Sequence, residues 1–286
     1  RMLGFAAGKL RLFGQLSKHI KRKGRDSVKI LAVGDVVGEN GTEYIRRHLW
    51  NIRKEHHIDF TVLNGENAAK GNGLDKDTAE TLLASGADVI TTGNHIWKKH
   101  AMKHVIDDLA YVLRPANYPQ VCPGAGHLIY EVNGFRVLVV NLLGNVYMPD
   151  AFESPFLTAD RILVQNDGLY DAAVFDFHAE ATSEKAALAK YLDGRVSAVF
   201  GTHTHVQTND ACVLSAGTGF VTDVGMVGAN DSILGVKNEC ILEKFLTQMP
   251  VRFDEAAGET LFCGVVFDID ENTGLCTSAR LIRQIG

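Results

Sequence analysis

The stretch Gly201-Thr202-His203-Thr204-His205 closes on two histidines one residue apart, directly after the apolar run Val196-Ser197-Ala198-Val199-Phe200. Such a run reads as a buried strand. Alternate residues on an extended segment project to one side, so the two imidazoles can reach a single point. An isolated pair fits a surface loop equally well, and the choice turns on what other strands deliver. Four deliver comparable groups. Residues 28–33 end at Gly34-Asp35, residues 60–63 at Asn64-Gly65-Glu66-Asn67, residues 88–92 at Gly93-Asn94-His95, and residues 172–177 at His178-Ala179-Glu180. Singly, each has a plain structural explanation as a turn former, an exposed acid or a core histidine. Together they point to one site, because ligands of open α/β sheets gather outside the carboxyl ends of the strands.

The donor types narrow the chemistry. Carboxylates, amide oxygens and imidazoles without a thiolate suit first-row divalent metals such as Mn, Fe, Zn or Ni. Seven candidates (Asp35, Glu66, Asn67, Asn94, His178, His203 and His205) exceed one tetrahedral centre and suit two metals sharing a carboxylate. Such a pair lowers the pKa of a bound water to give hydroxide and stabilises charge on an attacked phosphoryl group. His95, beside a ligand, has an imidazole free to protonate the leaving oxygen.

The elements that must position these groups follow an alternation of strand and helix. After the strand at 28–33, apolar residues recur at helical spacing through Ile45, Leu49 and Ile52. The strand at 60–63 leads through the Gly-rich loop 70–73 to a helix at about 75–85, and the strand at 88–92 completes β-α-β-α-β, the signature of a parallel sheet covered by helices. Loops follow at 114–119 and 122–126. Asn133-Gly134 between residues 128–132 and 136–140 is the strongest hairpin signal in the chain. Thr182 is placed to cap a helix with Glu184 in its first turn, ending before Gly194. Strands are expected near Cys212, near Phe220 and over 261–268, with a helix around 239–247. No repeat or linker interrupts residues 27–286, which read as one domain.

Composition limits the function classes. With 46% hydrophobic and 22% charged residues the chain can build a full globular core, and it has no apolar run long enough for a transmembrane helix. Residues 1–26 hold eight Lys/Arg against Asp26 alone, so the body carries more than the whole net charge of −5. That acidic body argues against a broad nucleic-acid-binding face. The basic segment itself reads as a poorly ordered extension, with an amphipathic helix on a membrane or nucleic acid, or a transit peptide, as alternatives. Five cysteines, odd in number and never in CxxC spacing, exclude a disulfide framework and a thiolate zinc site and suit a reducing cytoplasm.

The order of the motifs resembles the calcineurin-like metallophosphoesterases, and more closely their YmdB-type branch, across roughly residues 28–285. The stretches that carry the resemblance are 32–38 (AVGDVVG), 64–69 (NGENAA), 92–97 (TGNHIW), 176–182 (DFHAEAT), 201–207 (GTHTHVQ) and 222–226 (TDVGM). It implies a four-layer αββα sandwich with two mixed sheets flanked by helices, and two metals, with iron or manganese the usual occupants. By the family pattern, Asp35, Glu66, Asn67 and His205 hold one metal, Glu66 bridges, Asn94, His178 and His203 complete the second, and His95 donates the proton. The implied activity is hydrolysis of 2′,3′- or 3′,5′-cyclic nucleotides or related small phosphodiesters, with a link to RNA regulation. Val37 and Glu66 stand where the broader superfamily carries His and Asp. The YmdB-type branch makes the same changes, and Asn67 can supply the ligand lost at position 37. Lys98 stands where an acid supporting His95 would be expected.

A metal-stabilised regulator that binds a nucleotide or RNA without turnover is the competing class; it has no need of His95. A Rossmann-type dinucleotide site is excluded, because Gly34-Asp35-Val36-Val37-Gly38 is not GxGxxG. A homo-oligomer is compatible with the sequence, which does not determine it.

Overall fold

The computed structural model describes residues 27–150 and 152–286, so the basic segment 1–26 lies outside the described residues. Among the described residues, thirteen strands and six α-helices follow one another in this order: β1 (Ser27–Val33), β2 (Asp35–Val36), α1 (Gly38–Glu55), β3 (Phe60–Asn64), α2 (Lys76–Ala84), β4 (Val89–Thr91), α3 (Met102–Val105), β5 (His127–Val132), β6 (Phe135–Leu143), α4 (Pro155–Gln165), β7 (Ala172–His178), α5 (Thr182–Tyr191), β8 (Ala198–Thr202), β9 (Cys212–Val213), β10 (Gly219–Val221), β11 (Met226–Ala229), α6 (Asn238–Thr247), β12 (Thr260–Asp270) and β13 (Cys276–Ile285). One sheet runs β2-β11-β12-β1-β3-β4, with β13 also paired to β12; the other runs β5-β6-β7-β8-β10-β9.

The alternation of side chains along the strands builds the layers. In β1, Val28, Ile30 and Ala32 point into a core between the two sheets, where they meet Val174, Ala198 and Phe200 of the other sheet. Leu31 and Val33 face the opposite way, against Ile45, Leu49 and Ile52 of α1. In β7, Phe175 and Phe177 turn outward to Ala159 and Ile162 of α4 and Leu188 of α5. Helices, sheet, sheet, helices: this is the expected four-layer αββα sandwich. Strands buried on both faces explain why these runs are nearly continuous in apolar residues.

The parallel pairs β1/β3, β3/β4, β6/β7 and β7/β8 bring six carboxyl ends to one side of the molecule, three from each sheet, and all but that of β6 lead into candidate site residues. The first of these ends requires a glycine. At Gly34 the chain steps from β1 to β2, and a β-carbon there would overlap the carbonyl of Gly225. Asn133 and Gly134, with φ of 50° and 81°, form the expected tight hairpin turn between β5 and β6.

Two local expectations fail. Thr182 is already helical, the residue before α5 is Ala181, and it makes no side-chain cap. Glu184 is turned away to accept from the backbone N–H groups of Asn145 and Val146 at 3.0 and 3.1 Å. The His-x-His segment is not extended either. β8 ends at Thr202, and His203 and His205 take φ values of 103° and 65°. Strand alternation therefore does not set where the two imidazoles point.

Candidate metal centre

Each expected site residue lies at the end of the strand that leads to it, and the side chains meet. His178, the last residue of β7, is fully buried. Its Nε2 lies 3.1 Å from Asn94 Oδ1, 3.2 Å from Glu66 Oε1 and 3.1 Å from His203 Nδ1. Glu66, His178 and His203 form a group whose ligand atoms all lie within 4.8 Å of one another. Gly93 makes room for it, since a β-carbon there would overlap both the Glu66 carboxylate and the His178 ring.

Hydrogen bonds on the far side of each ring determine which atom faces this group. Thr202 Oγ1 donates its one hydrogen to Asp176 Oδ1 at 2.7 Å, so it must accept from His178 Nδ1 at 2.9 Å. Nε2 is then the atom turned to the cluster. Asp176 also accepts from Asn64 Nδ2 at 3.0 Å and from Thr91 Oγ1, and burial pushes its carboxyl up to about 6. His203 Nε2 stands 3.1 Å from Glu180 Oε2, and its Nδ1 faces His178. His205 donates from Nδ1 to the carbonyl of Leu234 at 3.1 Å, and its Nε2 stands 3.7 Å from Asp35 Oδ1.

Asp35 is buried at the base of the same group. Its Oδ2 accepts from the His203 backbone N–H at 3.1 Å, while Oδ1 has no hydrogen-bond partner among the described residues. Asn67 turns its amide nitrogen toward Glu66 Oε1 at 3.0 Å and His205 Nε2 at 3.3 Å, and its oxygen toward His95 Nδ1 at 2.8 Å. In this orientation Asn67 is a bridge. It would offer its oxygen to a cation beside His205 only with the amide turned over. His95 is tied down by Asn67 and by Glu66, which accepts its backbone N–H at 3.1 Å. These two stand in for the acid absent at Lys98, and they leave Nε2 as the free ring nitrogen of His95.

The charges in this pocket are strongly coupled. Burial works against charge on His178, but the Glu66 and Asp35 carboxylates outweigh it and lift the pKa to about 9. Burial likewise opposes ionisation of Glu66, yet His178 and His95 hold it well below the usual carboxylate range. Burial, with His178 alongside, pulls His203 down to about 3. Burial raises Asp35, and His205 and His178 offset only part of the rise. Two buried carboxylates thus draw positive charge onto His178, one carboxylate oxygen is still unpartnered, and several acceptors aim at one point. That donor set fits a cation.

Several members of this arrangement carry no role in the sequence reading: Asn64, Asp176, Glu180, Thr202, and the buried pair Lys185–Asp223. All but Lys185 lie within the motif stretches, and Asp176 also stands out as a charge within the apolar run of β7.

The likeness to known proteins agrees with the geometry. A family model described as YmdB-like protein matches residues 31–282. The chain belongs to the YmdB-like family. A Bacillus subtilis relative named 2′,3′-cyclic-nucleotide 2′-phosphodiesterase is 46% identical over 246 residues, covering 86% of this chain and 93% of that protein. A crystal structure of a hypothetical protein from Thermus thermophilus superposes with a TM-score of 0.84 at 40% identity, covering 90% of this chain and 99% of that one. A Mycoplasma pneumoniae structure titled a novel phosphatase gives a TM-score of 0.84 at 33% identity, covering 91% and 94%.

Proposed function

We propose that the chain is a metal-dependent phosphodiesterase that opens 2′,3′-cyclic nucleotides at the 2′ ester. The observation that carries this reading is the group of acceptor atoms around His178 Nε2, with the unpartnered Asp35 Oδ1 beside it. The name of the Bacillus subtilis relative supports the 2′,3′-cyclic substrate over the 3′,5′ alternative. Asn94, His178, His203 and Glu66 would hold one metal, and Asp35, His205 and Glu66, with Asn67 turned over, a second; iron and manganese both suit these donors. Metals held there supply Lewis acidity toward a phosphoryl oxygen and a nucleophile from water near neutral pH.

The chain's own residues do the rest. Thr202 holds His178 in the tautomer that turns Nε2 to the centre, and Glu180 stands beside the His203 ring. Water adds its oxygen to phosphorus, the P–O2′ bond breaks, and O2′ takes a proton from His95 Nε2. The proton that water gives up balances the one His95 delivers, and a nucleoside 3′-phosphate leaves. Asn67 and Glu66 keep His95 oriented for this transfer from its opposite ring nitrogen.

The test uses the full chain purified without chelator and loaded with Mn or Fe. It is expected to convert 2′,3′-cyclic AMP to adenosine 3′-monophosphate, with His203→Ala inactive and His95→Ala reduced at least 100-fold, the scale of lost general-acid catalysis. Full rates in either variant would sink the assignment, and tight nucleotide binding without turnover would favour the non-catalytic alternative.

A further inference from the structure

The proposed reaction accounts for the phosphate end of a nucleotide, and one flank of the centre offers something for the other end. Trp97, two residues after His95, meets Tyr118 edge-on with ring centroids 6.1 Å apart, and Tyr118 meets Phe152 at 4.4 Å. This row leads away from the His95 loop. Tyr118 sits close enough to the centre for the Glu66 carboxylate to help push its hydroxyl pKa up to about 12, after burial and Asp150.

Tyr147 lies on the chain leaving β6, five residues before Phe152. The base of this segment is rigid. Gly144 donates to the backbone carbonyl of His178 at 2.9 Å, and the carboxylate of Glu184 accepts the N–H groups of Asn145 and Val146. Asn145 also exchanges hydrogen bonds with Phe152, donating at 3.2 Å and accepting at 2.9 Å, which ties the start of the segment to the aromatic row. Three residues past Gly144, within about 10 Å of extended chain, Tyr147 holds φ at 62° with 86% of its surface exposed. A bulky residue in the left-handed region is an outlier that persists only where its surroundings enforce it, and such outliers gather at ligand clamps.

We infer that Tyr147, on the segment that Asn145 ties to Phe152 and its aromatic row, is the platform on which the nucleobase of the substrate stacks. Every base has a π-face, so the platform selects nucleotides over base-free phosphodiesters without selecting among bases. The inference rests on the proposed activity and adds to it the substrate class: cyclic phosphates that carry a base.

The experiment compares kcat/KM of the metal-loaded full chain for 2′,3′-cyclic AMP with that for glycerol 1,2-cyclic phosphate, which presents the same strained ring without a base. Tyr147→Ala should lower the ratio of the two about tenfold, chiefly through KM for the nucleotide, and Tyr147→Trp should restore it. An unchanged ratio in Tyr147→Ala overturns the platform. A wild type that turns over neither compound overturns the proposed activity instead. The platform is then judged by calorimetric binding of adenosine 3′-monophosphate, about tenfold weaker in Tyr147→Ala if it stacks the base and equal to wild type if it does not.

Discussion

At the scale of single residues, the centre depends on hydrogen atoms placed one bond away from it. His178 can turn a bare Nε2 to its neighbours only if Nδ1 keeps its proton, and Thr202 enforces that. Its hydroxyl hydrogen is committed to Asp176 at 2.7 Å, so toward His178 it can only accept. Outer partners of this kind typically change metal affinity 10- to 100-fold when removed. Thr202→Val keeps the shape and removes the hydroxyl; it should weaken Mn binding about tenfold in a calorimetric titration. Thr202→Ser keeps the hydroxyl and should stay near wild type. Equal affinities for the valine and serine variants would show that shape alone positions His178. The buried row Asp176–Thr202–His178 could be glimpsed in the sequence only as an acid within an apolar strand. Nothing in residue order says that Thr202, the last residue of β8, points at a histidine on β7.

At the scale of elements, the loop after β8 must hold two left-handed histidines, and its support comes from α5. Asp223 accepts from the backbone N–H of Thr204 at 3.1 Å and of Gly225 at 2.9 Å, and its charge is balanced by Lys185 at 2.7 Å. Both side chains are about 1% exposed. Removing one member of a buried pair leaves an uncompensated charge and costs about 3–5 kcal/mol. Lys185→Met should therefore lower Tm by roughly 10 °C in calorimetry, at about 2–4 °C per kcal/mol for a chain of this size. The double variant Lys185→Met/Asp223→Asn should lose less than the single one, and a double variant that loses more would refute the pairing. In sequence, Lys185 is indistinguishable from a lysine on a solvent-facing helix, because its partner is 38 residues away. The principal strands were legible because both faces of each are buried and the runs are apolar. β2 and β11 were not, being two and four residues long, nor was β13, which is largely exposed along its ten residues. α4 was not read from the sequence either, because exposed Leu157 and Val164 blur its apolar face.

At the scale of the whole molecule, the two sheets share an apolar core along their length, and polar contacts cross between them at the end that holds the candidate ligands. Asn64 and Thr91 of the first sheet reach Asp176 of the second, and the Thr92 backbone N–H donates to Asn141 at 3.0 Å. The candidate ligands divide in the same way: Asp35, Glu66 and Asn94 follow strands of one sheet, His178 and His203 those of the other. A cation held among them is therefore a cross-link between the halves, formed in the folded chain and lost with it. Such a ligand stabilises by RT ln(1 + [L]/Kd), about 2.7 kcal/mol at 100 times Kd. Calorimetry should then show Tm about 5–10 °C higher with Mn in that excess than in chelator. His203→Ala, which removes a ligand from the second sheet, should shrink this metal-dependent gap. A gap that survives intact in His203→Ala would mean that the stabilising cation binds elsewhere, and that the two halves are joined by their shared core without the metal's help.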